Sequence, residues 1–63
     1  MGTLVEVTVH RLSDRANWKG YAWTHDDGRL EAFWYDDDAR MTFFFDAEGN
    51  QIGAKTYSIQ LPK

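Results

Sequence analysis

Aspartate side chains in two predicted turns are the residues of this chain most able to do chemistry. They are Asp26, Asp27, Asp36, Asp37 and Asp38. Clustered carboxylates can bind a cation, but an EF-hand calcium loop needs glycine at its sixth position. Counted from Asp36 the sixth residue is Met41, and counted from Asp46 it is Gln51. Because aspartate also favours turns for local reasons, we predict no metal site and interpret the five carboxylates as an acidic rim for a protein partner.

The two histidines, His10 and His25, offer a second kind of site. A zinc site would need both of them with carboxylates such as Asp26 or Glu31, and their spacing matches no zinc motif. The chain has no cysteine, which excludes thiolate metal sites and disulfides. As a general base, His25 would lie at a hairpin tip open to water, which suits proton transfer poorly. We therefore expect no metal and no cofactor.

Covalent and acid–base catalysis have little support in the sequence. Ser13 and Ser58 lie outside any nucleophile-elbow motif, and no glycine-rich phosphate loop is present. A general acid needs surroundings that keep it protonated, whereas these carboxylates fall in solvated turns. A chain of 63 residues also has little material to enclose a substrate pocket. We predict that the protein is not an enzyme.

Ten of the 63 side chains are aromatic, and this density is the strongest functional signal. Each ring can bury roughly 150–250 Å², whereas a domain of this size buries only about 60% of the surface that its unfolded chain exposes. Some rings should therefore face a partner. Six of them, concentrated in one stretch, are our candidate binding residues: Trp18, Tyr21, Trp23, Phe33, Trp34 and Tyr35.

Charge separates the possible partners of these rings. A stacking platform for single-stranded nucleic acid combines aromatic side chains with a basic groove, but the net charge is −3 and basic residues alternate with acidic ones. Nucleic acid is therefore an unfavoured alternative. The amino terminus has no basic region followed by an apolar stretch, and apolar runs such as residues 32–35 and 43–45 are far too short to cross a membrane. We expect a cytoplasmic protein that binds no membrane.

Residues 3–11 alternate with a period of two, which predicts a strand that buries Val5, Val7 and Val9. Residues 13–18 have two interpretations. Ser13 could cap a single helical turn, or the segment could be a loop whose Trp18 side chain inserts into the core.

Residues 20–35 predict a hairpin because Asp27-Gly28 separates two alternating segments. We favour a two-residue turn at Asp27-Gly28, which gives an apolar face of Tyr21, Trp23, Leu30 and Trp34. The alternative is a three-residue turn with Gly28 as a bulge. It would pair His25 with Arg29, and it would put Tyr21 and Trp23 beside Phe33 and Tyr35. The two registers exchange the faces of the hairpin.

The remaining sequence predicts a turn over residues 36–40, a strand from Met41 to Phe45 and a turn over residues 46–50 with Gly49 in the left-handed conformation. A last strand from Gln51 to Leu61 should bend near Gly53. The fold class is thus all-β in one domain, residues 1–63, with about five antiparallel strands in meander order that form a sheet or a small open barrel.

Residues 45–52 resemble the strand–Asp-x-x-Gly–strand hairpin of many bacterial β modules, including tyrosine–aspartate repeat proteins. The likeness covers eight residues and assigns no family. In length, acidity and lack of cysteine the chain also resembles accessory inhibitors encoded by phages and mobile elements, including anti-CRISPR proteins.

We predict a non-catalytic module that docks an aromatic sheet face with an acidic rim onto another protein, which could be basic. A homodimer that uses the same face is the first alternative, because short chains often complete a core by self-association. A small barrel that binds single-stranded nucleic acid is the second.

Overall fold

The computed structural model describes residues 3–62 and contains a single antiparallel sheet. Its strands are β1 (Val5–Arg11), β2 (Asn17–Thr24), β3 (Leu30–Asp36), β4 (Ala39–Phe45) and β5 (Tyr57–Gln60). They lie in the order β4-β3-β2-β1-β5, and the sheet curls into an open half-barrel. The predicted all-β class and the five strands are confirmed.

The first strand has the predicted faces. Val7 and Val9 are buried in the core, and Val5 packs at its margin. The helical turn suggested for residues 13–18 is absent, since residues 3–62 contain no helix. The chain instead turns between Arg11 and Ala16, where the N–H of Arg11 donates to the carbonyl of Ala16 at 2.8 Å. Trp18 therefore belongs to β2.

The favoured register of the β2–β3 hairpin is wrong, and the alternative with a three-residue turn is the one formed. Tyr21 pairs with Phe33, and Ala22 pairs with Ala32. The N–H of His25 donates to the carbonyl of Arg29 at 2.8 Å, and Gly28 takes a positive φ of 90°. A glycine bulge after a type I turn produces this spacing.

The turn between β3 and β4 is shorter than predicted. Asp36 pairs with Ala39, so only Asp37 and Asp38 form the turn, both at positive φ, 50° and 66°. Aspartate tolerates this conformation better than most residues, and two such residues in succession define a hairpin turn that matches strand twist. Ala39 and Arg40 are strand residues.

The carboxyl-terminal third differs most from the prediction. Gln51 to Leu61 is not one strand: only Tyr57–Gln60 is, and it pairs with β1 at the far side of the sheet. The meander order therefore ends at β4. The turn at residues 46–50 forms as predicted, with Gly49 at φ 93°. Single bridges then join Gln51 to Phe45 and Asn50 to Ser58, so this segment spans from β4 to β5.

Among residues 3–62, nine buried apolar side chains form the core on the inner, concave face of the sheet. They are Val7, Val9, Ala22, Leu30, Ala32, Trp34, Phe45, Tyr57 and Ile59. Trp34 lies among other rings, with its centroid 4.9 Å from that of Tyr57 and 5.7 Å from that of Phe43. Opposite it is Gly20, where a Cβ atom would lie 2.6 Å from the carbonyl oxygen of Phe33. Gly20 thus permits the close approach of the β2 and β3 backbones, and a Cβ atom there would also lie 3.2 Å from the Cβ of Trp34.

A candidate protein-docking surface

The outer, convex face of the sheet carries a second group of rings, which we call the aromatic outer face. Its members are Tyr21, Trp23, Phe33, Tyr35 and Phe44. Successive side chains of a strand point to opposite sides, so the register that buries Trp34 turns these rings outward. Tyr21 and Phe33 have centroids 5.8 Å apart, and Trp23 and Phe33 are 6.1 Å apart.

Three of these rings are open to solvent. Tyr35 is 58% exposed, Tyr21 is 43% exposed and Phe44 is 38% exposed, whereas Trp23 and Phe33 are half-buried between them. They come from three adjacent strands and form one group across β2, β3 and β4. Exposed apolar side chains gathered on one face in this way are typical of interaction sites.

Two arginines lie over the rings. The guanidinium carbon of Arg40 is 4.4 Å from the centroid of Phe33, and that of Arg29 is 4.8 Å from the centroid of Phe44. Such stacking attracts the cation to the ring face, and the guanidinium of Arg29 in addition donates its Nε–H to Asp27. Arginine beside aromatic residues is the composition enriched in protein interfaces.

An ionisable pair lies at the end of the aromatic outer face near the β2–β3 turn. The Nε2 atom of His25 is 2.9 Å from Oε1 of Glu31. The imidazole also lies between two rings, 6.0 Å from Trp23 and 5.6 Å from Phe44 between centroids. These contacts fix the His25 side chain against the sheet.

The five candidate aspartates lie at the two ends of β3 and not in one cluster. Asp26 and Asp27 are in the β2–β3 turn, while Asp36, Asp37 and Asp38 are at the β3–β4 turn. Asp36 is half-buried, and Asp37 and Asp38 are exposed. The predicted acidic rim is therefore two separate acidic turns, one at each end of the aromatic outer face.

Asp27 has a structural role within its turn. Its carboxylate accepts the backbone N–H of Arg29 at 3.0 Å and the Nε–H of Arg29 at 2.7 Å. These hydrogen bonds, the backbone one foremost, hold the pKa of Asp27 below its usual value. The same contact orients Arg29 toward Phe44.

This contact predicts a pH-dependent effect of Asp27→Asn. A carboxyl whose pKa is lowered by folding stabilises the folded state at pH values above its unfolded pKa, near 3.8. This stabilisation is lost as the pH falls through the pKa of the carboxyl in the folded state. We expect a small decrease in Tm at pH 7 that disappears in strong acid, measured by circular dichroism. Asp37→Asn removes the same charge from the other turn and is the control. An equal decrease for both variants at every pH would contradict the role given to Asp27.

The structure does not bring all six candidate rings together. Tyr21, Trp23, Phe33 and Tyr35 share the outer face, whereas Trp34 is in the core and Trp18 packs against it. Phe44 and Arg40 also belong to the outer face but were not among the predicted site residues. The alternation of residues 40–44 places Arg40 and Phe44 on the same face of their strand, but only the register with β3 shows that this is the outer face.

The other candidate groups are dispersed. Within residues 3–62, no three His, Asp or Glu side chains converge on a position that could hold a metal ion. His10 Nδ1 lies beside the side-chain oxygen of Asn17 at 2.5 Å. A surface depression of about 470 Å³ is lined by Leu12, Asp46, Lys55 and Tyr57, among others. Its carboxylate, that of Asp46, accepts the N–H groups of Glu48 and Asn50 and thus caps a turn.

Comparisons with known proteins returned no relative. No protein family, curated protein or solved structure matches this chain. No helix within residues 3–62 has the length and apolar character needed to cross a membrane.

Proposed function

We propose that this protein is a non-catalytic binding module that docks its aromatic outer face onto another protein. The observation that carries the proposal is that three rings, Tyr21, Tyr35 and Phe44, are exposed on one face of a sheet whose other face already supplies the core. Aromatic and arginine side chains dominate the binding energy of protein interfaces. Arg40, stacked on Phe33, adds a donor at the centre of this surface.

The charges around the face favour a protein over a nucleic acid. Arg29 is paired with Asp27 at 2.7 Å, and Lys19 lies 3.9 Å from Glu6. A single strand of nucleic acid needs a continuous basic groove along its backbone, and here anions interrupt the cations. Asp37 and Asp38, exposed two and three residues after Tyr35, would attract a basic group on the partner at that end.

The decisive experiment compares two double variants that each lose two exposed apolar side chains. Tyr35→Ser with Phe44→Ser disrupts the aromatic outer face. Leu4→Ser with Leu12→Ser removes two exposed leucines elsewhere and is the matched control. Each immobilised protein is incubated with an extract of the source organism, and the bound proteins are quantified by mass spectrometry.

We expect at least one protein to bind the wild type and the control equally, and to be depleted about 30-fold on the face variant, the effect of losing a hot spot. Equal recovery on all three proteins would overturn the proposal. Tryptophan fluorescence should stay constant when an oligonucleotide is added at low salt. Quenching that weakens with added salt would instead favour the single-stranded nucleic-acid alternative.

A further inference from the structure

The two edges of the sheet differ in how well they are covered. At β5 the outward backbone N–H groups have partners within the chain: that of Ile59 donates to the carbonyl of Gly49 at 2.8 Å, and that of Tyr57 donates to Oε1 of Gln51 at 3.1 Å. Unpaired edges are templates for pairing with another chain. The β5 edge is thus protected by residues 49–51.

At β4 only the carboxyl-terminal end is covered. The N–H of Ile52 donates to the carbonyl of Phe44 at 3.1 Å, and the N–H of Asp46 donates to the carbonyl of Asn50 at 2.8 Å. Because outward backbone groups recur at every second residue, Arg40 and Thr42 direct their N–H and C=O groups to this same edge. Within the described residues no segment pairs with this edge over residues 39–43.

The side chains of this free stretch do little to prevent pairing. Proline and lysine, which commonly protect edges, are absent from residues 39–43. Its one charged side chain, Arg40, lies over Phe33 on the outer face. On the inner face, Met41 and Phe43 pack against the core but remain half exposed. Covering them would extend the core.

We infer that β4 pairs antiparallel with β4 of a second copy of this chain, around a two-fold axis at Met41. The free stretch fixes the register. Ile52 occupies the position beside Phe44, and the chain turns at Asp37 and Asp38, so pairing is confined to residues 39–43. The centre of that range is Met41.

This register satisfies the open backbone groups of both copies. Arg40 lies opposite Thr42 of the other copy, and the two residues exchange both backbone hydrogen bonds. The two-fold axis repeats this exchange, so both outward residues of each copy are satisfied. On the inner face, Met41 meets Met41 and Ala39 meets Phe43. A second copy is therefore the occupant that fits this edge over its whole free length.

The dimer is a continuous ten-stranded sheet with both aromatic outer faces on the same side. It does not depend on what those faces bind. Five paired residues per copy form a small contact, below the roughly 1,200 Å² of stable interfaces. We therefore expect association that depends on concentration in the micromolar to millimolar range, measured by sedimentation.

The lack of cysteine permits a direct test of the register by disulfide formation. Directly opposed residues of a non-hydrogen-bonded pair have Cα atoms about 4.5 Å apart, within disulfide range. Met41→Cys should thus form a covalent dimer under mild oxidation at least tenfold faster than Gln60→Cys, an exposed residue of the opposite edge strand. Equal rates for the two variants would overturn the inference.

Thr42→Pro tests the hydrogen bonds independently. It deletes an N–H that points to the edge, so the pairing of β4 with β3 is preserved. We expect loss of the sedimenting dimer with an unchanged circular dichroism spectrum, whereas Thr42→Val should retain it. A wild type that stays monomeric at 1 mM would refute the dimer, as would a dimer that survives Thr42→Pro. Loss of the dimer in the Tyr35→Ser, Phe44→Ser variant, but not in Thr42→Pro, would assign it to the aromatic outer face instead.

Discussion

Trp34→Ala is expected to unfold most of the protein at 25 °C. The indole is 1% exposed and contacts the rings of Trp18, Phe43 and Tyr57. Truncation of a buried tryptophan to alanine costs about 3–5 kcal/mol. A domain of this size has a total stability of roughly 3–9 kcal/mol. The loss is therefore comparable to the whole free energy of unfolding, and urea titration followed by circular dichroism should show little or no folded baseline.

Two controls separate core packing from a general effect of losing a ring. Tyr35→Ala removes a neighbouring ring on the solvent side and should change the free energy of unfolding by about 0.5 kcal/mol or less. Trp34→Phe keeps part of the volume and also removes the indole Nε1, a buried donor with no partner among the described residues. We expect it to remain folded. A cooperative transition of wild-type midpoint in Trp34→Ala would contradict the assignment of Trp34 to the core.

Gly49→Ala is expected to give the second largest loss, because it opens the connection between β4 and β5. Gly49 has φ 93°, which costs a residue with a Cβ atom about 1–2 kcal/mol. That atom would also lie 2.2 Å from the carbonyl oxygen of Ile59, so the backbone must move. Overlap of this kind adds about 1–3 kcal/mol. The expected decrease in the free energy of unfolding is the sum of both effects.

Comparison of Gly49→Ala with Gly53→Ala separates the steric part of the loss from the conformational part. Gly53 has a similar φ of 83°, but a Cβ atom there would have no neighbour within 4 Å. It should therefore lose only the conformational contribution. Chemical denaturation of the two variants under identical conditions gives the difference directly. Equal destabilisation would show that Gly49 is needed only for its backbone conformation and that Ile59 can move away without cost.

Local chemistry in the sequence predicted much of this fold. Alternation identified β1 and its buried valines, and Asp-Gly located the first hairpin. The Asp27-Gly28 pair could not select the register of this hairpin, because turns of two and three residues are both compatible with the residues around Gly28. The observed register is favoured by a contact distant from the turn: Trp34 packs over Gly20. Only the three-dimensional core reveals this preference.

The position of β5 depends on still longer-range contacts. Turn signals extended the meander after Gly49, but Tyr57–Gln60 instead pairs with β1, more than 40 residues earlier in the chain. Such a contact depends on chain closure and core packing, which leave no local pattern. The same limit applies to the candidate site. The aromatic stretch was evident, but the separation of Trp18 and Trp34 from the exposed rings required the register.

The three-residue turn at residues 26–28 limits which changes of sequence the fold can tolerate. Surface loops usually accept insertions and deletions more readily than cores accept substitutions. Here the pairing of His25 with Arg29 at the base of the turn decides the faces. A slip of one residue, such as a two-residue turn at Asp27-Gly28, would exchange the two sides of β3 relative to β2, directing Trp34 to solvent and Tyr35 to the interior. The pairing at the base of this loop is therefore more constrained than the length of the loop, and a change that shifted it by one residue would be more damaging than most point mutations on the aromatic outer face.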